Sequence, residues 1–174
     1  MIRSQIQPMP QFFDRYINLV EDIDITEALE KYSTIETLIT KNELEQIGDK
    51  TYAPGKWTIK EIVQHISDNE RVQAYRALRL ARNDKTPLPG YDENVFAANV
   101  HPADRQLDDL LEEFSVVRRS NIILFKSFNE EAQKRTGLCN NVTIPVLALG
   151  FVLVGHQLHH ASIIKERYLP LIRS

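Results

Sequence analysis

Three histidines in the sequence have the spacing of a metal site carried by helices. His156 and His160 are four residues apart, and residues at positions i and i+4 lie on one face of a helix, about 5–6 Å apart at Cβ. His65 lies in a separate apolar stretch. Imidazole nitrogens at such separations are able to share one divalent ion. Three neutral imidazoles leave a coordination position open, which is typical of catalytic sites, whereas structural zinc sites are closed by four protein ligands.

The composition of the chain excludes several other kinds of site. The 174 residues include one cysteine and five histidines, so a disulfide framework and a Cys-rich zinc module are both excluded. A zincin protease requires a glutamate after the first histidine of its motif, but Gln157 follows His156 here. Any metal chemistry must therefore use histidines and carboxylates, and a general base must come from elsewhere in the chain.

Two aspartates are the candidate catalytic groups. Asp92 lies with Glu93 in a loop rich in proline and glycine, and Asp68 lies one helical turn after His65. Carboxylates often orient metal-bound histidines or accept protons beside them. The alternative for both is a solvated or capping carboxylate. For Arg76 we expect an ion pair with a buried carboxylate, and the alternative is contact with an anionic substrate group.

Four segments with helical hydrophobic periodicity must position these residues. They cover residues 25 to 40, 58 to 82, 107 to 127 and 143 to 168, and a short turn follows Asn129. Capping-box patterns open the first two, Asp24 with Glu27 and Thr58 with Glu61. Strand alternation is nowhere sustained. We therefore expect an all-α four-helix bundle with long inter-helix loops, forming a single domain over residues 1–174.

On helical wheels the histidines lie among inward-facing apolar residues. His156 and His160 fall in the middle of the apolar stripe of the fourth helix, and His65, Asn69 and Arg76 lie along the flank of the stripe of the second. A lone histidine on an apolar face is more often a hydrogen-bonded core residue. The pair together with His65 favours a shared metal over that interpretation.

Charge and hydropathy limit the partners of the chain. The net charge of -3 argues against nucleic acid as the main partner. The longest apolar run, residues 144 to 155, is shorter than the roughly 20 residues of a membrane-spanning helix. The N-terminus has no signal-peptide core, so we expect a soluble, cytoplasmic protein. The apolar run must be covered by the bundle or by a second subunit.

Several motifs resemble the DinB/YfiT-like family of metal-dependent hydrolases. They are APGKWTIKE at 53–61, His65, ER at 70–71, AYRALR at 74–79, PLPGYDEN at 87–94 and GHQLHH at 155–160. The resemblance spans residues 11 to 170. It implies a four-helix bundle, often dimeric, with one divalent metal, zinc or nickel, held by three histidines. Transferred to this sequence, the ligands are His65, His156 and His160.

The resemblance and the histidine pattern together predict a metal-dependent enzyme. Related branches of the family include thiol-dependent S-transferases, so the metal is expected to activate either water, as in a hydrolase, or a low-molecular-weight thiol. We expect a small-molecule substrate, with or without a thiol cosubstrate, and a homodimer. The alternative is a non-catalytic metal-binding or ligand-binding bundle.

Overall fold

Helices make up most of the chain. The computed structural model describes residues 1–173, with all of their side chains except that of residue 103. In chain order the elements are α1 (Asp14–Ile17), α2 (Ile25–Lys31), α3 (Lys41–Ile47), α4 (Ile59–Ala81), α5 (Glu93–Ala98), α6 (Leu107–Lys126), α7 (Glu130–Lys134), β1 (Thr136–Cys139), β2 (Val142–Pro145) and α8 (Val146–Ile163). A π-helical turn (Ile164–Tyr168) and a 3₁₀ turn (Leu169–Ile172) continue α8. Helices α2, α4, α6 and α8 pack together as the bundle.

The second and third predicted helices are confirmed. The Thr58 side chain accepts a hydrogen bond from the Glu61 backbone N–H, and a Glu61 carboxylate oxygen accepts one from the Thr58 backbone N–H at 2.6 Å. This capping box satisfies two of the free donors at the start of α4. Helix α6 ends at Lys126, and Asn129 caps the short helix α7. Local sequence therefore determines where these helices begin and end.

The prediction of one helix over residues 25 to 40 is wrong, because the structure has two separate helices in this region, α2 and α3. Asp24 caps α2 by accepting a hydrogen bond from the Thr26 backbone N–H, but α2 ends at Lys31 and a separate helix, α3, begins after Thr40. The Thr34 carbonyl oxygen accepts a hydrogen bond from Gln157 Nε2 of α8 at 2.8 Å. A contact with a distant part of the chain thus replaces helical continuation, which no local pattern predicts.

A β-hairpin replaces the predicted start of the fourth helix. Strands β1 and β2 pair antiparallel, with Cys139 opposite Val142. Asn140 and Asn141 connect them with φ values of 50° and 63°, as a type I′ turn requires. Residues up to Pro145 therefore belong to β2, and Pro145 is the N-cap of α8 rather than part of its first turn. Two adjacent asparagines between short apolar runs were the signal for this turn.

Helix α8 lies in the centre of the bundle. Gly155 allows α1 to pack closely against it, because a Cβ at this position would lie 2.0 Å from the Tyr16 carbonyl oxygen. This approach places the Tyr16 ring beside His156, with ring centroids 5.3 Å apart. Residues from Val146 to Gln157 are all buried. The bundle itself thus covers the apolar run, so the run does not require a second subunit, and the homodimer stays a prediction.

One segment could span a membrane by length and composition alone. It is Val146–Ile172, 27 residues long with a mean hydropathy of 1.3 in its most apolar window. However, 78% of that window is buried inside the fold. A helix enclosed by its neighbours is expected to be apolar on all sides, so packing within the bundle accounts for this composition.

Candidate metal centre

The three histidines selected from the sequence meet between α4 and α8. His65 Nε2 lies 3.1 Å from His156 Nε2, and His160 Nε2 lies 3.2 Å from the same atom. One ring nitrogen from each of the three residues falls within 4.8 Å of the others. All three residues are buried. The structure therefore brings the predicted ligand atoms together at one point.

Hydrogen bonds among the histidines cannot satisfy this arrangement. A ring nitrogen carries either one hydrogen or one lone pair. His156 Nε2 is 3.1 Å from His65 Nε2 and 3.2 Å from His160 Nε2. With a single hydrogen or lone pair in the plane of its ring, it is able to form a hydrogen bond with only one of these two nitrogens. A metal ion between the three rings would instead accept the lone pair of all three nitrogens.

The separations between nitrogen atoms fit a shared metal ion. Ligands about 2.0–2.1 Å from one ion are about 3.3–3.4 Å apart at a tetrahedral angle and about 2.8–3.0 Å apart at a right angle. The two separations from His156, 3.1 and 3.2 Å, fall between these limits. Imidazole nitrogens suit both zinc and nickel. The donor set is thus compatible with one divalent ion.

The environment keeps the three imidazoles neutral, which metal binding requires. Burial, with a smaller contribution from nearby His159, lowers the pKa of His65 from 6.5 to about 4. Burial and the neighbouring histidines hold the pKa values of His156 and His160 well below 6.5. Desolvation opposes the charged form of a histidine because the imidazolium loses its hydration. At neutral pH these side chains therefore present lone pairs.

The metal-free protein is expected to lose stability as the pH falls from 8 to 5. An unfolded histidine binds a proton near pH 6.5, whereas folded His65 does so only near 4. The unfolded state therefore binds more protons between these values, and the free energy of unfolding decreases as pH falls through 6.5. Between pH 8 and pH 5, His65 alone accounts for roughly 2 kcal/mol. Urea denaturation of chelator-treated protein measures this; equal stability at pH 8 and pH 5 would contradict it.

Aromatic side chains enclose the histidine cluster. The Trp57 ring lies against His65, with centroids 4.7 Å apart, and stacks near His160 at 6.4 Å. The Tyr168 hydroxyl donates a hydrogen bond to the Trp57 carbonyl oxygen at 2.5 Å, which fixes this part of the chain. We had not assigned a role to Trp57 from the sequence, although it lies within the motif at 53–61. It shields the imidazoles from solvent.

A cavity of about 540 Å³ opens onto His156. Its wall includes polar and aromatic side chains from α1, α4 and the loop before α5: Tyr16, Asn69, Gln73, Arg76, Tyr91 and Asp92. Phe12 lies at its edge with a φ of 72° and is 55% exposed. Non-glycine residues rarely adopt this backbone conformation, and those that do are concentrated at functional sites. The cavity has the size of a small-molecule site.

The two predicted catalytic aspartates have different positions. Asp92 lies in the cavity wall, and its Oδ1 accepts hydrogen bonds from the backbone N–H groups of Asn94 and Val95. It therefore caps α5 as well as facing the cavity. Asp68 does not line this cavity; it accepts a hydrogen bond from Gln64 at 3.0 Å. Burial raises the Asp68 pKa. A catalytic role for either stays a prediction.

The expected ion pair of Arg76 is not found within the described part of the chain. Arg76 donates hydrogen bonds to Gln73 Oε1 at 3.1 Å and to the Pro89 carbonyl oxygen at 2.7 Å. The buried carboxylate on the same helix, Glu70, instead pairs with Arg118 of α6. The prediction for Arg76 was wrong because spacing along a helix does not show which cation a buried carboxylate will meet.

The remaining histidines and the cysteine lie outside the cluster. His159 is half-buried and packs edge-on against Tyr16, with centroids 5.4 Å apart. His101 is exposed in a loop. Cys139 is buried in β1, and burial raises its thiol pKa, which disfavours the reactive thiolate.

Comparisons with known proteins agree with these observations. A family model described as the DinB superfamily matches residues 13–164. A protein of Oceanobacillus iheyensis named "putative metal-dependent hydrolase" is 35% identical over 80 residues, which are 42% of this chain and 44% of that protein. The match thus spans less than half the length of this relative.

A solved structure supports the fold. It is that of YfiT from Bacillus subtilis, described as "a probable metal-dependent hydrolase with an unusual four-helix bundle topology"; the TM-score is 0.67 at 19% identity, over 91% of this chain and 87% of that one. The predicted four-helix bundle is therefore confirmed. Because the family model covers most of its length, the chain belongs to the DinB superfamily.

Proposed function

We propose that the protein is a metal-dependent enzyme in which His65, His156 and His160 bind one divalent ion, zinc or nickel. A small-molecule substrate would enter through the cavity beside His156. The observation that carries this proposal is the convergence of three buried ring nitrogens within 4.8 Å of one another, next to that cavity. The names of the two relatives support it, since one is a "putative metal-dependent hydrolase" and the other "a probable metal-dependent hydrolase".

The chemistry of such a site follows from an open coordination position. When bound by these three imidazoles, a divalent ion would lower the pKa of a water at the open position towards neutrality, or would favour the thiolate form of a thiol there. The protein supplies orientation and exclusion of water, since Trp57 and Tyr16 pack against the histidine rings. These contacts limit rotation of the imidazoles.

Asp92 is one of two carboxylates in the wall of this cavity, the other being Glu93. Both hydrogen bonds that Asp92 accepts from α5 end on Oδ1. We therefore propose that Oδ2 accepts a proton from the attacking water or thiol, or orients the substrate. Asp68 is the weaker candidate, because it lies outside the cavity and its carboxylate is bonded to Gln64.

An activity screen with controlled metal content tests the proposed function. We expect turnover of at least one ester, amide or electrophile that is lost after chelation and restored by zinc or nickel. Product formation without added thiol would identify a hydrolase, and a strict requirement for a low-molecular-weight thiol would identify an S-transferase. The His101→Ala variant is the control, because His101 is exposed and outside the cluster.

The screen also tests the alternative of a non-catalytic bundle. Metal that raises the unfolding temperature but gives no turnover with any substrate class, with or without thiols, would contradict the enzyme proposal and support the binding role.

A further inference from the structure

Arg76 is a buried cation with no buried anion beside it. It is 4% exposed, and its hydrogen bonds go to two neutral acceptors, Gln73 Oε1 and the Pro89 carbonyl oxygen. No carboxylate among the described residues lies within ion-pair distance of it. Arg118 of α6 is also buried, but it forms an ion pair with Glu70 of α4. The charge of Arg76 is thus uncompensated by the protein.

An uncompensated guanidinium points to a ligand. Arginine stays charged in proteins and has five N–H donors, of which two are used here. Burial of a charge without a counter-ion is destabilising. Arg76 lines the cavity that opens onto His156. An anion bound in this cavity would both neutralise the charge and use the remaining N–H donors.

Asn69 supplies a second unpartnered polar group in the same cavity wall. Its Nδ2 donates a hydrogen bond to the Tyr91 hydroxyl at 2.8 Å. Its Oδ1 is buried without a hydrogen-bond partner, and the residue is 8% exposed. Exchange of the amide oxygen and nitrogen would leave the nitrogen unpartnered instead. Either way, one polar atom of Asn69 remains available to a ligand.

The positions of these groups on α4 bring them to the same side as His65. Asn69 lies four residues after His65, and Arg76 lies seven residues after Asn69. Residues at these spacings lie on one face of a helix. The Cα atoms of His65 and Arg76 are about 16 Å apart along the axis. An arginine side chain in a helix leans towards the N-terminus, which here is the direction of His65. A ligand of modest length would therefore reach from Arg76 to the histidines.

The other charges in the cavity wall limit the size of the anion. Arg15 donates a hydrogen bond to the Tyr16 hydroxyl at 2.9 Å and lies over the Phe12 ring at 4.0 Å. Asp92 and Glu93 are exposed residues of the same cavity wall. These carboxylates repel an extended polyanion, whereas a small molecule with one anionic group is able to pass and reach Arg76.

We propose that Arg76 binds a carboxylate or phosphate group of the substrate, and that Asn69 binds a neutral polar group of the same molecule. The substrate class is then a small organic anion whose reacting bond lies at the histidine cluster. This assignment of a substrate class rests on the proposed function, but binding of the anion to Arg76 requires no metal.

Titration of isotope-labelled, chelator-treated protein by NMR tests this anion site. Sodium acetate and inorganic phosphate are the two probes, at constant ionic strength, and methylammonium is the cationic control. We expect saturable shifts of the Arg76 Nε–H resonance and of the Gly90 and Gln73 amides with at least one anion. A response to acetate alone would identify a carboxylate site, and a response to phosphate alone a phosphate site. Absence of saturable shifts with both anions would overturn the proposal.

Substitutions separate the site from general charge effects. Arg76→Gln is expected to weaken anion binding at least tenfold, whereas Arg119→Gln, at an exposed arginine of α6, leaves it unchanged. Arg76→Lys keeps the charge but not the planar donor pair, so it should bind with intermediate affinity and remain informative if Arg76→Gln unfolds. Undiminished binding in folded Arg76→Gln or Arg76→Lys would also overturn the proposal. All of these measurements use metal-free protein. Their outcome therefore does not depend on whether the histidines bind a metal.

Discussion

Replacing His156 with alanine is expected to reduce the divalent metal in the purified protein to less than a tenth of the wild-type content. His156 Nε2 is the central atom of the cluster, 3.1 Å from His65 Nε2 and 3.2 Å from His160 Nε2. Its removal leaves only the imidazoles of His65 and His160 to hold the ion. Two protein ligands hold zinc or nickel far more weakly than three, because each lost ligand must be replaced by water.

Metal content after gel filtration, measured by plasma mass spectrometry, checks this expectation. His101→Ala is the matched control, because it removes an exposed histidine and leaves the cluster intact. Circular dichroism must show that His156→Ala remains folded, since His156 is buried on α8. An unchanged metal-to-protein ratio in folded His156→Ala would contradict the assignment of this residue as a ligand.

Replacing Glu70 with alanine is expected to destabilise the protein by about 3–5 kcal/mol, the usual effect of removing one partner of a buried ion pair. Glu70 Oε1 accepts a hydrogen bond from Arg118 Nε at 2.8 Å, and Glu70 Oε2 accepts one from Asn121 Nδ2 at 2.7 Å. Arg118 is 0% exposed, so its guanidinium would remain buried without a counter-ion. For a domain of this size the unfolding temperature should fall by on the order of 6–20 °C.

Differential scanning calorimetry with two further variants checks this prediction. Glu130→Ala removes a carboxylate whose 2.5 Å ion pair with Lys134 is exposed, and such pairs contribute less than about 1 kcal/mol. The double variant Glu70→Ala with Arg118→Met should regain part of the lost stability, because it removes the buried charge as well. A temperature decrease for Glu70→Ala as small as that for Glu130→Ala would show that the buried pair does not stabilise the fold.

The sequence predicts the two helices that carry the histidines because their signals are local. A capping box precedes the hydrophobic stripe of α4 and a stop signal follows it, so Thr58 and Glu61 locate its start. The i, i+4 spacing of His156 and His160 within an apolar helix fixes their common face. The structure adds the crossing of α4 against α8, which brings His65 Nε2 to 3.1 Å from His156 Nε2.

The features that the sequence did not predict depend on contacts between distant residues. Thr34 leaves the helical conformation where its carbonyl oxygen binds Gln157, which is 123 residues away in the chain. Arg118 reaches Glu70 across 48 residues, and Arg76 therefore lacks the carboxylate that we expected for it. No periodicity within a helix contains such information. The hairpin at Asn140 and Asn141 is different, because its turn signal was present locally.

Anomalous diffraction from crystals of the metal-loaded protein tests the central claim most directly. We predict one strong peak between His65, His156 and His160, with the three Nε2 atoms about 2.0–2.1 Å from the ion. Data collected on either side of the zinc and nickel absorption edges would identify the metal. A metal peak at full occupancy elsewhere in the molecule, with no density between the three imidazoles, would contradict the metal site and the function proposed from it.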